Sequence, residues 1–165
     1  MNFKNCLKMP IEIERKFLVR DQSFKKESSE HYRIVQGFLN KNPHRTVRVR
    51  RLKDHGKLTI KGMSSEDGLS RFEWETMLGL QEADDLLKLC EPGIIDKIRY
   101  VIPQGELTIE VDEFFGENSG LILAEIELPS TDTVYNRPVW LGSEVTGDIR
   151  YYNSYLSENP FNKWV

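Results

Sequence analysis

Little in this 165-residue chain points to the commoner protein chemistries, and each scarcity removes one of them. There are only two cysteines, Cys6 and Cys90, far apart and outside any CxxC or zinc-binding spacing. Neither a disulfide framework nor a structural zinc site is expected, and both thiols read as free, as in a reducing cytoplasm. The three histidines, His31, His44 and His55, fall at strand edges or turns without shared spacing, and read as surface residues. No apolar run approaches the roughly 20 residues of a membrane span, and the opening MNFKNCLKMP lacks the apolar stretch of a signal peptide. A soluble, cytoplasmic protein with no membrane partner is expected. The chain holds no G-x-x-x-x-G-K-[ST] phosphate loop, no G-x-G-x-x-G turn and no H-E-x-x-H helix. Nor is its charge one-sided: a net charge of -3 among 30% charged residues argues against a nucleic-acid partner.

The length suits one domain that buries roughly two-thirds of its unfolded surface. Because Met9 directly precedes the first strand pattern, residues 1–8 are expected to be a flexible N-terminal extension and residues 9–165 a single domain. Period-two patterning with strand-favouring residues marks eight strands: 11–19, 32–40, 46–53, 57–62, 70–78, 95–102, 107–114 and 121–129. Turn chemistry at Asn42-Pro43, Asp54-His55-Gly56, Asp67-Gly68, Gln104-Gly105 and between Gly116 and Gly120 predicts antiparallel hairpins. Leu80, Ala83, Leu87 and Cys90 form the stripe of one helix, stopped by Pro92-Gly93. A short helical turn is expected over residues 21–27, and a terminal helix capped by Asp148 with Ile149, Tyr152 and Leu156 on one side. The fold class is therefore α+β, mainly antiparallel β.

What the sequence has in abundance is alternation of charge. EIERK, VRVR, RFEWE, KIR and EIE put charged residues at every second position, and successive strand residues point to opposite faces. Glu12, Glu14 and Lys16 share one face, as do Arg48 and Arg50, Arg71, Glu73 and Glu75, Lys97 and Arg99, and Glu125 and Glu127. On any one strand the ordinary explanation is a solvated face over a conventional core. Across the set, however, the alternate positions are charged rather than Thr, Ser, Asn or Gln. An eight-stranded closed barrel offers an interior that can be filled or can hold one small ligand. Like charges about 4 Å apart repel by roughly 4 kcal/mol at an effective dielectric of 20, so an enclosed Arg48 beside Arg50 calls for a polyanion. The apolar outer wall must then be covered by the helices and long loops.

EIERKFLV, with its E-x-E-x-K, resembles the opening strand of the CYTH superfamily, the triphosphate tunnel metalloenzymes. VRVR, LTIKG, GLSRFEWE, DKIRY, LTIEVDEF, LAEIELP and WLGSEVTGDIRYYNSYL follow in the order of the short bacterial members, from Pro10 to Leu156. The resemblance implies an eight-stranded antiparallel barrel, a tunnel with a few helices packed outside, that binds triphosphate with Mg²⁺ or Mn²⁺, two ions being expected. By the same resemblance Glu12, Glu14, Glu125 and Glu127 match metal positions, and Asp112 joins them. Lys16, Arg48, Arg50, Lys61, Arg71 and Arg99 offer forks and point charges for phosphate, with Arg150 as a further contact or a wall-pairing helix residue. Lys97 falls near the reacting phosphate as the catalytic cation, while Glu73, Glu75 and Glu110 support the arginines. Where close relatives read QGYL the chain reads Gln36-Gly37-Phe38-Leu39, so a tyrosine base at that position is excluded.

The expected activity is metal-dependent hydrolysis of a triphosphate, foremost inorganic triphosphate to pyrophosphate and phosphate. The alternatives are a class IV adenylyl cyclase making cyclic AMP from ATP, a nucleoside or thiamine triphosphatase, and a non-catalytic polyphosphate-binding module. The partner is a small polyanion, and the oligomeric state, a homodimer included, is left open.

Overall fold

Strand β1 is the residue run on which the architecture turns, because three other strands pair with it. The computed structural model describes residues 11–164; the extension expected over residues 1–8, with Cys6, lies outside the described residues. The strands are β1 (Ile11–Val19), β2 (Glu30–Asn40), β3 (Arg45–Arg51), β4 (Gly56–Ser64), β5 (Ser70–Leu78), β6 (Ile95–Gln104), β7 (Leu107–Phe114), β8 (Ile122–Glu127) and β9 (Leu141–Glu144). The early residues of β1 pair with β5, Glu12 opposite Arg71, and the later ones pair with β8, Lys16 opposite Glu125. The order β1-β5-β4-β3-β2-β6-β7-β8 then returns to β1, and every pairing is antiparallel. Eight strands close into a ring, which leaves no open edge among them. The ninth, β9, pairs with Phe17 and Val19 beyond the end of β5, and its four residues LGSE carry no alternation from which to predict it.

Helix α1 (Phe24–Glu27) lies in the connection from β1 to β2, and α2 (Leu80–Lys88) in that from β5 to β6. The outer faces of β1, β6, β7 and β8 contribute Phe17, Ile102, Ile109, Val111, Ala124 and Ile126 to a core that Phe24 and Trp140 cover from outside. Phe17 and Phe24 are completely buried, each worth about 2–3 kcal/mol of apolar transfer. The Trp140 indole N–H donates to Glu27 across this cover at 3.0 Å. On the opposite side α2 rests on the sheet where two glycines admit it: a Cβ on Gly56 would meet that of Ala83 at 2.4 Å, and one on Gly37 would meet Cys90 at 2.8 Å. Glu82 caps α2 by accepting the Gly79 N–H at 2.7 Å.

The single terminal helix expected after Asp148 is instead two short pieces, a 3-10 turn at Ile149–Tyr151 and α3 (Asn153–Leu156). Asp148 does cap the first, accepting the Arg150 N–H at 3.1 Å, but extended backbone at Tyr152 separates the two. This segment does not wrap the outer wall. Leu156 packs with Ile95, Phe114, Leu121 and Leu123; by alternation Ile95, Phe114 and Leu123 share the inward face of Lys97, Asp112 and Glu125, so the segment closes one end of the ring. Two left-handed glycines seat it. A Cβ on Gly68 would lie 2.3 Å from Gly147, and one on Gly93 would lie 1.8 Å from the Ser157 carbonyl oxygen.

Candidate active site

Alternation carried around a closed ring turns the charged rows into the wall of one cavity of about 910 Å³. Glu12, Glu14, Lys16, Arg48, Arg50, Lys61, Arg71, Glu73, Glu75, Lys97, Arg99, Glu110, Glu125 and Glu127 line it. Asp112 stands behind Lys97 and Arg99, 2% exposed, bonded to Lys97 at 2.5 Å and to Arg99 through both oxygens. Arg150 does not face the cavity. Its exposed guanidinium is held by Asp148 at 2.6 Å and lies over the rings of Tyr151 and Trp164. None of His31, His44 and His55 lines the cavity.

The register sets acids opposite one another on one side of the wall. On β1 and β8, Glu14 lies directly opposite Glu127, and between β7 and β8 Glu110 lies directly opposite Glu125. Like charges so placed destabilise a sheet unless a cation relieves them. Lys16 holds Glu125 at 2.7 Å, Arg71 reaches Glu12 and Glu14 at 3.3 and 3.0 Å, and Arg99 reaches Glu110 and Glu125. Glu127 has no ion pair among the described residues. Burial and the neighbouring Glu12, Glu110 and Glu14 push its carboxyl up from the ordinary range. A divalent cation fits this chemistry: a row of oxygen donors in which Glu127, opposite Glu14, is left without a cation among the described residues. Among the described residues no three acids converge as a ready-made cage, and Mg²⁺ needs only one or two carboxylates when phosphates and waters complete its shell.

Four strands from β8 in either direction around the ring is β3, with Arg48 and Arg50. Glu75 accepts from Arg50 at 2.6 Å, from Thr59 at 2.7 Å and from Lys57 at 3.2 Å. Arg48 is served less well: its acids Glu75 and Glu73 are 3.6 and 3.8 Å away. Burial and the adjacent Arg50 push it down to about 9. Lys61, paired with Glu12 and Glu73, is also pushed down, by burial and then by Arg48 and Arg71. Among the described residues, the buried Nε groups of Arg48 and Arg50 and both amide atoms of Gln36 have no hydrogen-bond partner. The acids therefore relieve most of the repulsion expected in an empty interior, but not all of it. These unused donors of the interior lie on β3 and on the neighbouring β2.

Burial, and then the neighbouring Glu12 carboxyl, hold the Glu73 carboxyl at about 7. Burial works against ionisation of Glu12 too, but Glu73, Lys61 and Arg71 prevail and keep it far below its usual range. The pair thus keeps one proton. Between the ordinary carboxyl value of 4.5 and about 7 the folded pair retains a proton that the unfolded chain has released, so rising pH removes stability in that window. Below it the unfolded chain binds more protons than the folded pair, and falling pH removes stability instead. Thermal melts of metal-free protein from about pH 5 to about pH 8 should show this pair's decline, and Glu73→Gln should flatten it. A decline of equal slope in the variant would locate the retained proton elsewhere.

Several lining residues fall outside the sequence-predicted set. Lys57 is legible in hindsight, two and four residues before Thr59 and Lys61 on β4. Tyr32, opposite Arg99, shares the alternation of β2 but lacks the charge that marks the other rows. Tyr152 and Asn153 reach the cavity from the terminal segment. The Tyr152 ring lies 5.4 Å below the Lys16 ammonium and 6.0 Å from the Arg71 guanidinium, and nothing local in the sequence marks that placement. Phe38 is part of the lining, 3% exposed, and brings no exchangeable proton to it.

Residues 10–153 match the CYTH domain family. The chain is 45% identical over 154 residues to an inorganic triphosphatase of Acetivibrio thermocellus, covering 93% of this chain and 97% of that protein. It is 36% identical over 150 residues to an inorganic triphosphatase of Nitrosomonas europaea, covering 88% and 96%. Among solved structures, the crystal structure of an inorganic triphosphatase superposes with a TM-score of 0.61 at 30% identity, covering 88% of this chain and 93% of that one.

Proposed function

The chain belongs to the CYTH domain family, and we propose that it hydrolyses inorganic triphosphate to pyrophosphate and orthophosphate inside the ring. One observation carries this reading: an enclosed cavity in which unused arginine donors on β3 face opposed glutamate pairs on β7, β8 and β1. A ligand that is nearly all phosphate, bound together with divalent cations, satisfies both walls.

Arg48 and Arg50 present guanidinium forks to phosphate oxygens, and Lys61 and Arg71 add point charge and a further fork beside Glu12. Lys97 supplies an ammonium at the reacting phosphate, its position fixed by Asp112. Burial pushes Lys97 down to about 8, against the pull of Asp112, so it is still mostly charged at neutral pH. Glu14 and Glu127, with Glu12 and Glu125 on the same strands, would hold Mg²⁺ or Mn²⁺, two ions being proposed; Asp112, expected to join them, is instead engaged through both oxygens by Lys97 and Arg99 and fixes those cations. Such an ion, when bound, lowers the pKa of a water and offsets phosphate charge. A water oxygen bonds to the terminal phosphorus as the anhydride P–O bond breaks, pyrophosphate departs with the bonding pair, one proton of the water stays on orthophosphate and the other passes to solvent. The protein contributes position and charge, as phosphoryl transfer requires, and no side-chain nucleophile. With Phe38 in the wall, no tyrosine at that position takes the proton.

The test is phosphate release by purified protein from triphosphate, ATP, thiamine triphosphate and longer polyphosphate, each with Mg²⁺ and with Mn²⁺. Triphosphate is expected to be turned over fastest, with pyrophosphate as co-product. Cyclic AMP from ATP would favour the cyclase, and tight metal-dependent binding without product would favour a binding module. Either result would reject the proposal.

A further inference from the structure

The terminal segment does more than close the ring, because one of its side chains touches the lysine at the centre of the proposed site. Lys97 is 1% exposed, and its ammonium has two hydrogen-bond acceptors among the described residues: Asp112 Oδ2 at 2.5 Å and Asn153 Oδ1 at 3.3 Å. An ammonium carries three N–H donors and no acceptor. A single acceptor leaves it free to spin about one bond, whereas two fix where the third donor points. Lys97 lines the cavity, and so does Asn153. Since Lys97 can only donate, the Asn153 amide must turn its oxygen and not its nitrogen toward it. A neutral acceptor also leaves more of the ammonium's charge for an anion than a second carboxylate would.

Asn153 is itself held firmly. Its carbonyl accepts the Ser157 N–H at 3.0 Å, Gly93 abuts Ser157, and Gly147 abuts Gly68. The segment is tied to the site strand as well: the Lys16 N–H donates to Thr146 Oγ1 at 3.0 Å, and its carbonyl accepts the Val145 N–H at 2.8 Å. A displacement of this segment would therefore displace the second acceptor of Lys97.

We infer that Asn153 is a positioning residue for Lys97, through which the terminal segment completes the reaction centre; this rests on the triphosphatase reading. Asn153→Leu removes the acceptor at similar bulk, and Asn153→Asp restores one. With triphosphate as substrate, Asn153→Leu should lower kcat by about 10- to 100-fold, as loss of alignment does, with KM within about twofold and an unchanged melting temperature. Asn153→Asp should recover part of the loss, its carboxylate restoring the alignment while offsetting some of the ammonium's charge. A readout independent of turnover is NMR of ¹⁵N-labelled lysine side chains. The buried Lys97 ammonium should give a protected signal in wild type and in Asn153→Asp, lost in Asn153→Leu. Wild-type kcat in Asn153→Leu, or equal losses in both variants together with a lower melting temperature, would overturn the inference. So would a Lys97 signal indifferent to Asn153→Leu. A wild-type protein inert toward triphosphate would instead reject the function, while the lysine signal would still test the positioning.

Discussion

Glu14→Gln should lower triphosphate turnover by two powers of ten or more while leaving the melting temperature without metal within a few degrees of wild type. The two halves of this expectation share one cause. Glu14 lies directly opposite Glu127 in the β1–β8 ladder, so its charge costs the empty protein some stability. Glutamine keeps an oxygen for Arg71, which Glu14 accepts at 3.0 Å, and Arg71 retains Glu12. What is lost is the anionic oxygen proposed to hold a cation. Outer-shell partners of metal sites alone cost about 10–100-fold, so removal of a direct ligand should cost at least the upper figure. Turnover at several Mg²⁺ and Mn²⁺ concentrations, with melts taken with and without metal, checks it. The metal-induced rise in melting temperature should shrink in the variant. Undiminished turnover would move the cation away from the β1–β8 wall.

Arg50→Ala should reduce kcat/KM for triphosphate by about two to three powers of ten, the scale for loss of one preorganised donor at developing charge. Arg50 is 9% exposed, gives one terminal nitrogen to Glu75 at 2.6 Å and has an unpartnered Nε. Truncation leaves Glu75 with Thr59 and Lys57, so the wall has other donors with which to balance its acid. Lysine is not expected to rescue, because a point charge cannot reproduce the planar fork. Steady-state kinetics of both variants decide the matter, and a near-wild-type rate in either would place the phosphates away from β3.

The rows that could be read in advance are those where period two and charge coincide. EIERK on β1 and VRVR on β3 alternate between Phe17 or Val49 on the apolar side and Lys16, Arg48 or Arg50 on the other, and a closed ring converts that alternation into inside and outside. Tyr32 and Asn153 escape such a reading for different reasons. Tyr32 is uncharged on a charged face, and Asn153 reaches Lys97 only because a distant glycine, Gly93, lets the terminal segment settle against the ring. Arg150 errs in the opposite direction: it looks like one more cation of the site, yet Asp148 two residues earlier captures both its backbone N–H and its guanidinium. The four residues of β9 pair through backbone groups with β1, a tertiary choice that their side chains do not announce.

The first strand made is also the one that the last strands complete. β1 waits for β5, then β8, then β9, and the segment that seals the ring's end follows all of them. Contacts so remote along the chain slow folding, since loop-closure entropy is spent before they reward it. While translation is under way, the nascent protein has β1 without its β8 partner and Phe17 without Trp140. Exposed strand edges and apolar surface in that interval invite chaperone engagement. The anion-lining cavity is therefore enclosed only once Ile11–Val19 has met the strands and the closing segment that lie more than a hundred residues further along the chain.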